Sequence, residues 1–140
     1  MTFEIVNPES LGTPRGWNNG LIAPPGGRLL FVAGQTGWES AAAGPPPGFA
    51  DQFVRALDKV LAVVRAAGGG PQDIARLTLF VTDLAAYRAS LGPLGVVWRA
   101  RFGTHYPAMA LLEVKGLVER GALIEMEATA VLAGDRPHAD

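Results

Sequence analysis

Residues Tyr106 to Leu132 read Tyr-Pro-Ala-Met-Ala-Leu-Leu-Glu-Val-Lys-Gly-Leu-Val-Glu-Arg-Gly-Ala-Leu-Ile-Glu-Met-Glu-Ala-Thr-Ala-Val-Leu, two apolar-rich runs separated by a polar turn around Glu119, Arg120 and Gly121. The pattern predicts two strands joined as a hairpin. In the second run Leu123, Glu125, Glu127 and Thr129 share one face at period two, while Ile124, Met126, Ala128 and Ala130 share the other. One face is apolar and the other carries carboxylates. Any sheet wetted on one side shows the same alternation.

Upstream of this stretch, Leu84, Tyr87, Leu91, Leu94, Trp98 and Phe102 recur at threes and fours, the stripe of an amphipathic helix. Gly92-Pro93 lies inside that stripe, and an interior proline costs a helix about 3 kcal/mol. A break is expected there, with Pro93 opening a second helical piece. The run Ile74 to Val81 is rich in β-branched and large apolar residues and stops at Thr82-Asp83, either of which caps a following helix. Leu77, Leu79 and Val81 fall on one side of this strand and Thr78 and Phe80 on the other, so both sheet faces carry apolar groups. Self-association would cover the second face.

An earlier helix is written by Phe49, Phe53, Leu57, Val60, Val64 and Ala67, with Asp51, Arg55, Asp58 and Arg65 off the stripe. Gly68 to Pro71 end it, because glycine supplies a left-handed cap and proline cannot continue a helix. Gly68-Gly69-Gly70 lacks the lysine and following helix of a phosphate loop. Residues Ala41 to Gly48 are only Ala, Gly and Pro, and read as a loop. Asn18 to Ala23 and Arg28 to Ala33 are apolar-rich runs flanking Pro24-Pro25-Gly26-Gly27, the makings of a hairpin. The second run is continuously apolar after Arg28, as in a strand covered on both faces. Phe3 to Val6, broken by Asn7-Pro8, reads as an edge strand or an ordered arm. The order is two or three strands, helix, strand, helix, two strands, and two helices on one face of a mixed sheet is the economical packing.

Composition bounds what this fold does. The 140 residues suit one domain, able to bury about two-thirds of its unfolded surface. Net charge is −1, with 12 Lys and Arg scattered among 13 Asp and Glu, so no basic stripe offers itself to nucleic acid. The absence of cysteine removes disulfides, thiolate nucleophiles and zinc–thiolate sites. No run approaches the roughly 18 apolar residues of a membrane span, and the N-terminus has no signal-peptide pattern. A soluble, cytoplasmic protein is expected.

Taken in order, Asn7-Pro8, Gly34-Gln35, Ala66-Ala67-Gly68 with Asp73-Ile74, Phe80-Val81-Thr82-Asp83, Pro107-Ala108, Glu113-Val114 and Ile124-Glu125-Met126-Glu127-Ala128 resemble the Rid family, the reactive intermediate deaminases or YjgF-type proteins. The resemblance spans nearly the whole chain. It implies a chorismate-mutase-like α+β fold over residues 1–134, followed by a tail at 135–140. It further implies a homotrimer whose sheets form a central barrel with small-molecule clefts between subunits. Deaminating members hydrolyse 2-imino or enamine acids to keto acids and ammonia, with neither metal nor organic cofactor.

The family's site residues transfer unevenly. Glu125 matches a glutamate that places or activates the attacking water. Gly34 matches a position whose backbone amide faces the ligand, and Tyr87 an aromatic that lines the cleft. Trp17 stands where tyrosine is usual, Ala33 where a hydroxyl residue is common, and Leu111 where a small polar or thiol residue is usual. Met109 replaces the arginine that grips the substrate carboxylate in a two-pronged contact. Losing that grip costs one to two orders of magnitude per contact, at ~1.5 to 3 kcal/mol for a charge-assisted hydrogen bond. Trp17, Tyr87, Met109 and Leu111 together suggest a cleft that favours a neutral ligand. Arg15 is the sequence's candidate to replace the lost charge.

Two readings stand. The chain is a divergent imine or enamine hydrolase with weak or altered activity, as Glu125 suggests, or a non-catalytic small-ligand-binding member, as Met109 and Leu111 suggest. His105 is a candidate general base but has no carboxylate near it in sequence, and His138 belongs to the tail. Neither charge nor a histidine pair supports ribonuclease chemistry.

Overall fold

A computed structural model describes residues 2–41 and 44–134. The expected tail at 135–140 with His138, and positions 42 and 43 of the expected loop, lie outside the described residues. Strands β1 (Glu4–Val6), β2 (Gly20–Ile22) and β3 (Arg28–Thr36) precede helix α1 (Phe49–Ala66). Strand β4 (Ile74–Val81), helices α2 (Leu84–Ala89) and α3 (Leu91–Phe102), and strands β5 (Ala108–Glu113) and β6 (Ile124–Leu132) complete the chain.

The main sheet has the order β3-β6-β4-β5; β6 is antiparallel to both neighbours and β5 parallel to β4. It is the mixed sheet of an α+β fold, with α1 and the α2–α3 unit on one face. The predicted alternation in β6 holds: Ile124, Met126, Ala128 and Ala130 are buried, and Leu123, Glu125, Glu127 and Thr129 look the other way. Phe53, Leu57, Val60, Leu61 and Val64 of α1 close over the buried face with Leu77, Leu79 and Val81. Gly68 takes the left-handed conformation, φ 88°, that ends α1. Asp83 caps α2, its Oδ1 accepting from Ala85 N at 2.9 Å.

Both expected hairpins are replaced by other pairings. Strand β2 pairs with β1, not β3, and β5 and β6 are not neighbours. The reason is ladder length: β3 and β6 are nine residues each and bury most when paired together, while β2 has only three. Nor does the chain by itself cover both faces of β3. Leu30 and Val32 point to the core, but Leu29 is 62% and Phe31 74% exposed. The second helix breaks at Ser90, earlier than Gly92-Pro93. Pro93 sits in the first turn of α3, where backbone N–H groups lack helical acceptors anyway, so it costs no hydrogen bond. Leu91, next to the break, is consequently exposed.

One buried polar side chain ties the β5–β6 connection to α1. Gln52 is fully buried; its Nε2 donates to Pro47 O at 3.0 Å and Gly121 O at 2.9 Å, and its Oε1 accepts from Leu123 N at 2.8 Å. Its backbone also presses on Gly37, where an added Cβ would overlap it. The 114–123 connection thereby delivers β6 to the centre of the sheet. Replacing Gln52 with Leu keeps the bulk but strands these groups, so Gln52→Leu should lower stability by about 2 to 4 kcal/mol. Urea unfolding reads this as a lower midpoint at unchanged slope, and a loss below about 1 kcal/mol would contradict the clasp.

Candidate functional site

The sequence-predicted residues separate into two groups on opposite sides of the sheet. The register pairs Met109 and Leu111 with Leu77 and Leu79 on the helical side, whereas Glu125 pairs with Phe80 on the open side. Strand β4 stands between them.

On the helical side, at the β5 edge, lies a cavity of about 370 Å³, within the usual ligand-pocket range of roughly 300 to 1,000 Å³. Trp17, Tyr87, Met109 and Leu111 all line it, so four of the predicted binding residues converge. Trp17 is held there by an asparagine clasp. Asn18 donates from Nδ2 to Tyr106 O at 2.7 Å and accepts from Asn7 Nδ2 at 2.8 Å, while Asn7 Oδ1 accepts from Asn19 N at 2.7 Å. Trp17 Nε1 then donates to Asn19 Oδ1 at 3.1 Å. The Asn7-Pro8 motif thus fixes the N-terminal arm against the start of β5.

Sequence reasoning missed Trp98 and Arg99 of α3, which also line the cavity. Arg99 is its one charged lining residue among the described residues; Arg15, the sequence's candidate, does not line it, although Gly16 and Trp17 do. The available signal was Gly95, a glycine inside a helical stripe, which usually has a packing or functional reason.

On the open side, β3 carries a bulge: Val32 opposes Ala128 but Gln35 opposes Met126, so one extra residue interrupts the ladder at Ala33–Gly34. A Cβ at Gly34 would fall on Oε1 of Glu125 and 2.9 Å from its Cδ. Only glycine lets the carboxylate lie where it does. Glu125 is half-buried between β3 and β4, and its carboxylate has no hydrogen bond or ion pair among the described residues. The structure therefore brings Gly34 and Glu125 together, apart from the other four.

His105 is structural. Its Nε2 lies 2.8 Å from Ile74 O and its ring stacks between Phe3 and Phe102, which leaves that nitrogen unavailable as a base. Among the described residues no group of three His, Asp or Glu could hold a metal ion, and no helix is long and apolar enough to cross a membrane.

Comparison with known proteins agrees with this architecture. The family model described as Endoribonuclease L-PSP matches residues 12–132. The chain is 32% identical over 108 residues to the 2-iminobutanoate/2-iminopropanoate deaminase of Escherichia coli K12, covering 75% of this chain and 80% of that protein. It is 35% identical over 107 residues to the RutC family protein y4sK of Sinorhizobium fredii, covering 76% and 81%. Among solved structures, the Rid-family protein YyfB of Yersinia pestis superposes with TM-score 0.76 at 29% identity, over 94% of this chain and all of that one. The YjgF product of E. coli superposes at 0.64, with 28% identity over 89% and 92%. With a family model matched over residues 12–132, superposable solved structures and relatives along most of its length, this chain belongs to the Rid, or YjgF-type, family.

Proposed function

We propose that the chain forms a homotrimer with ligand clefts between subunits, and that it is a divergent imine or enamine hydrolase of altered substrate preference. The observation that carries this reading is the half-buried carboxylate of Glu125, without a partner among the described residues and seated against Gly34 on an open sheet face. A half-buried carboxylate that no side chain pairs with has no evident structural role and is placed to exchange protons with a ligand or water on the open face. The deaminase names of several relatives fit that chemistry.

The two halves of the site lie on opposite faces of one sheet, so within one chain Glu125 does not reach a ligand in the cavity beside Met109. A second copy supplies the missing half. Exposed Leu29 and Phe31, with Leu112 at the other edge of the same face, are the apolar surface such an assembly covers. In the closed cleft Glu125 takes a proton from water as the water oxygen bonds to the imine carbon, and passes it to the imine nitrogen to give a neutral carbinolamine. Glu125 then takes the hydroxyl proton and delivers it to the same nitrogen as the C–N bond breaks, so that ammonia leaves and a carbonyl remains. Atoms and charge balance without a metal or organic cofactor.

Light scattering on a size-exclusion peak should give three times the 14.7 kDa chain mass; a monomer at micromolar concentration defeats the intersubunit site. Imines released by an amino-acid oxidase from alanine or 2-aminobutanoate should be hydrolysed about one to two orders of magnitude more slowly than by a relative with arginine at the Met109 position. Glu125→Gln should lower kcat on any imine turned over by roughly 10²- to 10⁴-fold with the trimer intact. Unchanged kcat removes Glu125 from the mechanism. Absence of turnover on small and large imines alike leaves the non-catalytic binding reading, which the apolar lining of Met109 and Leu111 favours.

A further inference from the structure

The guanidinium of Arg99 sits on bare helix. An ideal Cβ at Gly95, one turn earlier on α3, would lie 3.2 Å from its Nη1 and 3.8 Å from Cζ and Nη2. Gly95 is not demanded by backbone conformation, because its φ is not positive. In a helix interior it costs stability relative to alanine. It leaves room for the guanidinium to lie against the helix at the cavity wall.

The charge there is uncommitted. The Arg99 guanidinium makes no hydrogen bond or ion pair with any described residue, and among the described residues no carboxylate lines the cavity. Arg101, two residues on, shows the contrast: its Nε and Nη2 grip Asp58 at 2.6 and 3.1 Å, and that bond holds the Asp58 carboxyl below its ordinary pKa. Both arginines lie in the last turn of α3, where cations complement the helix dipole. That role explains a basic residue at position 99, but it asks nothing of Gly95 and does not require the side chain to lie on the cavity.

We propose that Arg99 is the specificity-determining residue of the cavity, binding the carboxylate of a small acid whose apolar or aromatic body fills the space lined by Trp17, Tyr87, Leu94, Trp98, Met109 and Leu111. The inference rests on reading this cavity as the ligand site. It moves the anion contact from strand β5, where Met109 offers none, to helix α3. The neutral-ligand preference suggested by sequence gives way to a preference for acids with large apolar side chains, since a two-carbon body would leave most of the cavity empty. Arg15 plays no part.

The test uses two probes with one body, 3-phenylpropanoate and 3-phenylpropanamide, titrated calorimetrically into the native oligomer. The wild-type protein should bind the carboxylate ten- to a hundredfold more tightly than the amide. Arg99→Met should erase that difference while leaving amide affinity and Tm in place, Arg99→Lys should retain part of it, and Arg15→Met should change neither probe. Equal binding of the two probes by wild type, or a carboxylate preference that survives in Arg99→Met or falls in Arg15→Met, overturns the assignment of Arg99 alone. Failure of wild type to bind either probe overturns the ligand-site reading of the cavity and this inference with it.

Discussion

Everything in this chain hangs on the backbone pairing of β6 with two neighbours at once. Its nine residues hydrogen-bond to β3 on one side and β4 on the other, so the last strand in sequence is central in space. A central strand must satisfy both edges and both faces. Ile124, Met126, Ala128 and Ala130 meet α1 on one face, and Glu125 and Glu127 occupy the other. The β6 side chains form the floor on which α1 packs. The Gln52 clasp is the local device that brings the chain back to this position.

A sheet with helices on one face only has an unavoidable consequence. The far face keeps apolar groups that a single chain leaves in water, with Phe31 the largest of them. The same asymmetry divides the candidate site, because alternate residues of neighbouring strands point to opposite sides. The carboxylate and the apolar cavity are each well formed, yet the sheet separates them. In the proposed assembly, oligomerisation and chemistry are one problem: the contact that covers the open face also completes the cleft.

The position of charge in the cavity follows from similar constraints. On β5, Met109 and Leu111 continue the hydrophobic layer of Leu77 and Leu79, and a guanidinium there would need a ligand to offset its desolvation. On α3, Arg99 stands at the edge of the same space, exposed enough to stay hydrated when the cavity is empty. Gly95 gives up helix stability for that placement. The N-terminal arm shows the opposite strategy, with Asn7, Asn18 and Asn19 locked in mutual hydrogen bonds that hold Trp17 at the cavity.

Sequence by itself determined the elements and their faces. Period two in Ile124 to Ala130 and the threes and fours of Phe49 to Val64 report backbone geometry directly, and the structure reproduces both. Ordered motifs such as Asn7-Pro8, Gly34-Gln35 and Ile124-Glu125 also sufficed for the family. They pointed to Glu125 and Gly34, and to Trp17, Tyr87, Met109 and Leu111 as cleft residues. Only the tertiary structure decided which strands pair, because adjacency in sequence favours hairpins while buried area favours the long β3–β6 ladder. It alone separated Glu125 from the cavity, since the face to which a residue points means nothing until its neighbours are known. It alone found Arg99, whose guanidinium lies beside a glycine one turn away at a cavity built from the N-terminal arm, three helices and strands β4 and β5. A charged residue in the last turn of a helix looks the same in sequence whether it faces solvent or a ligand.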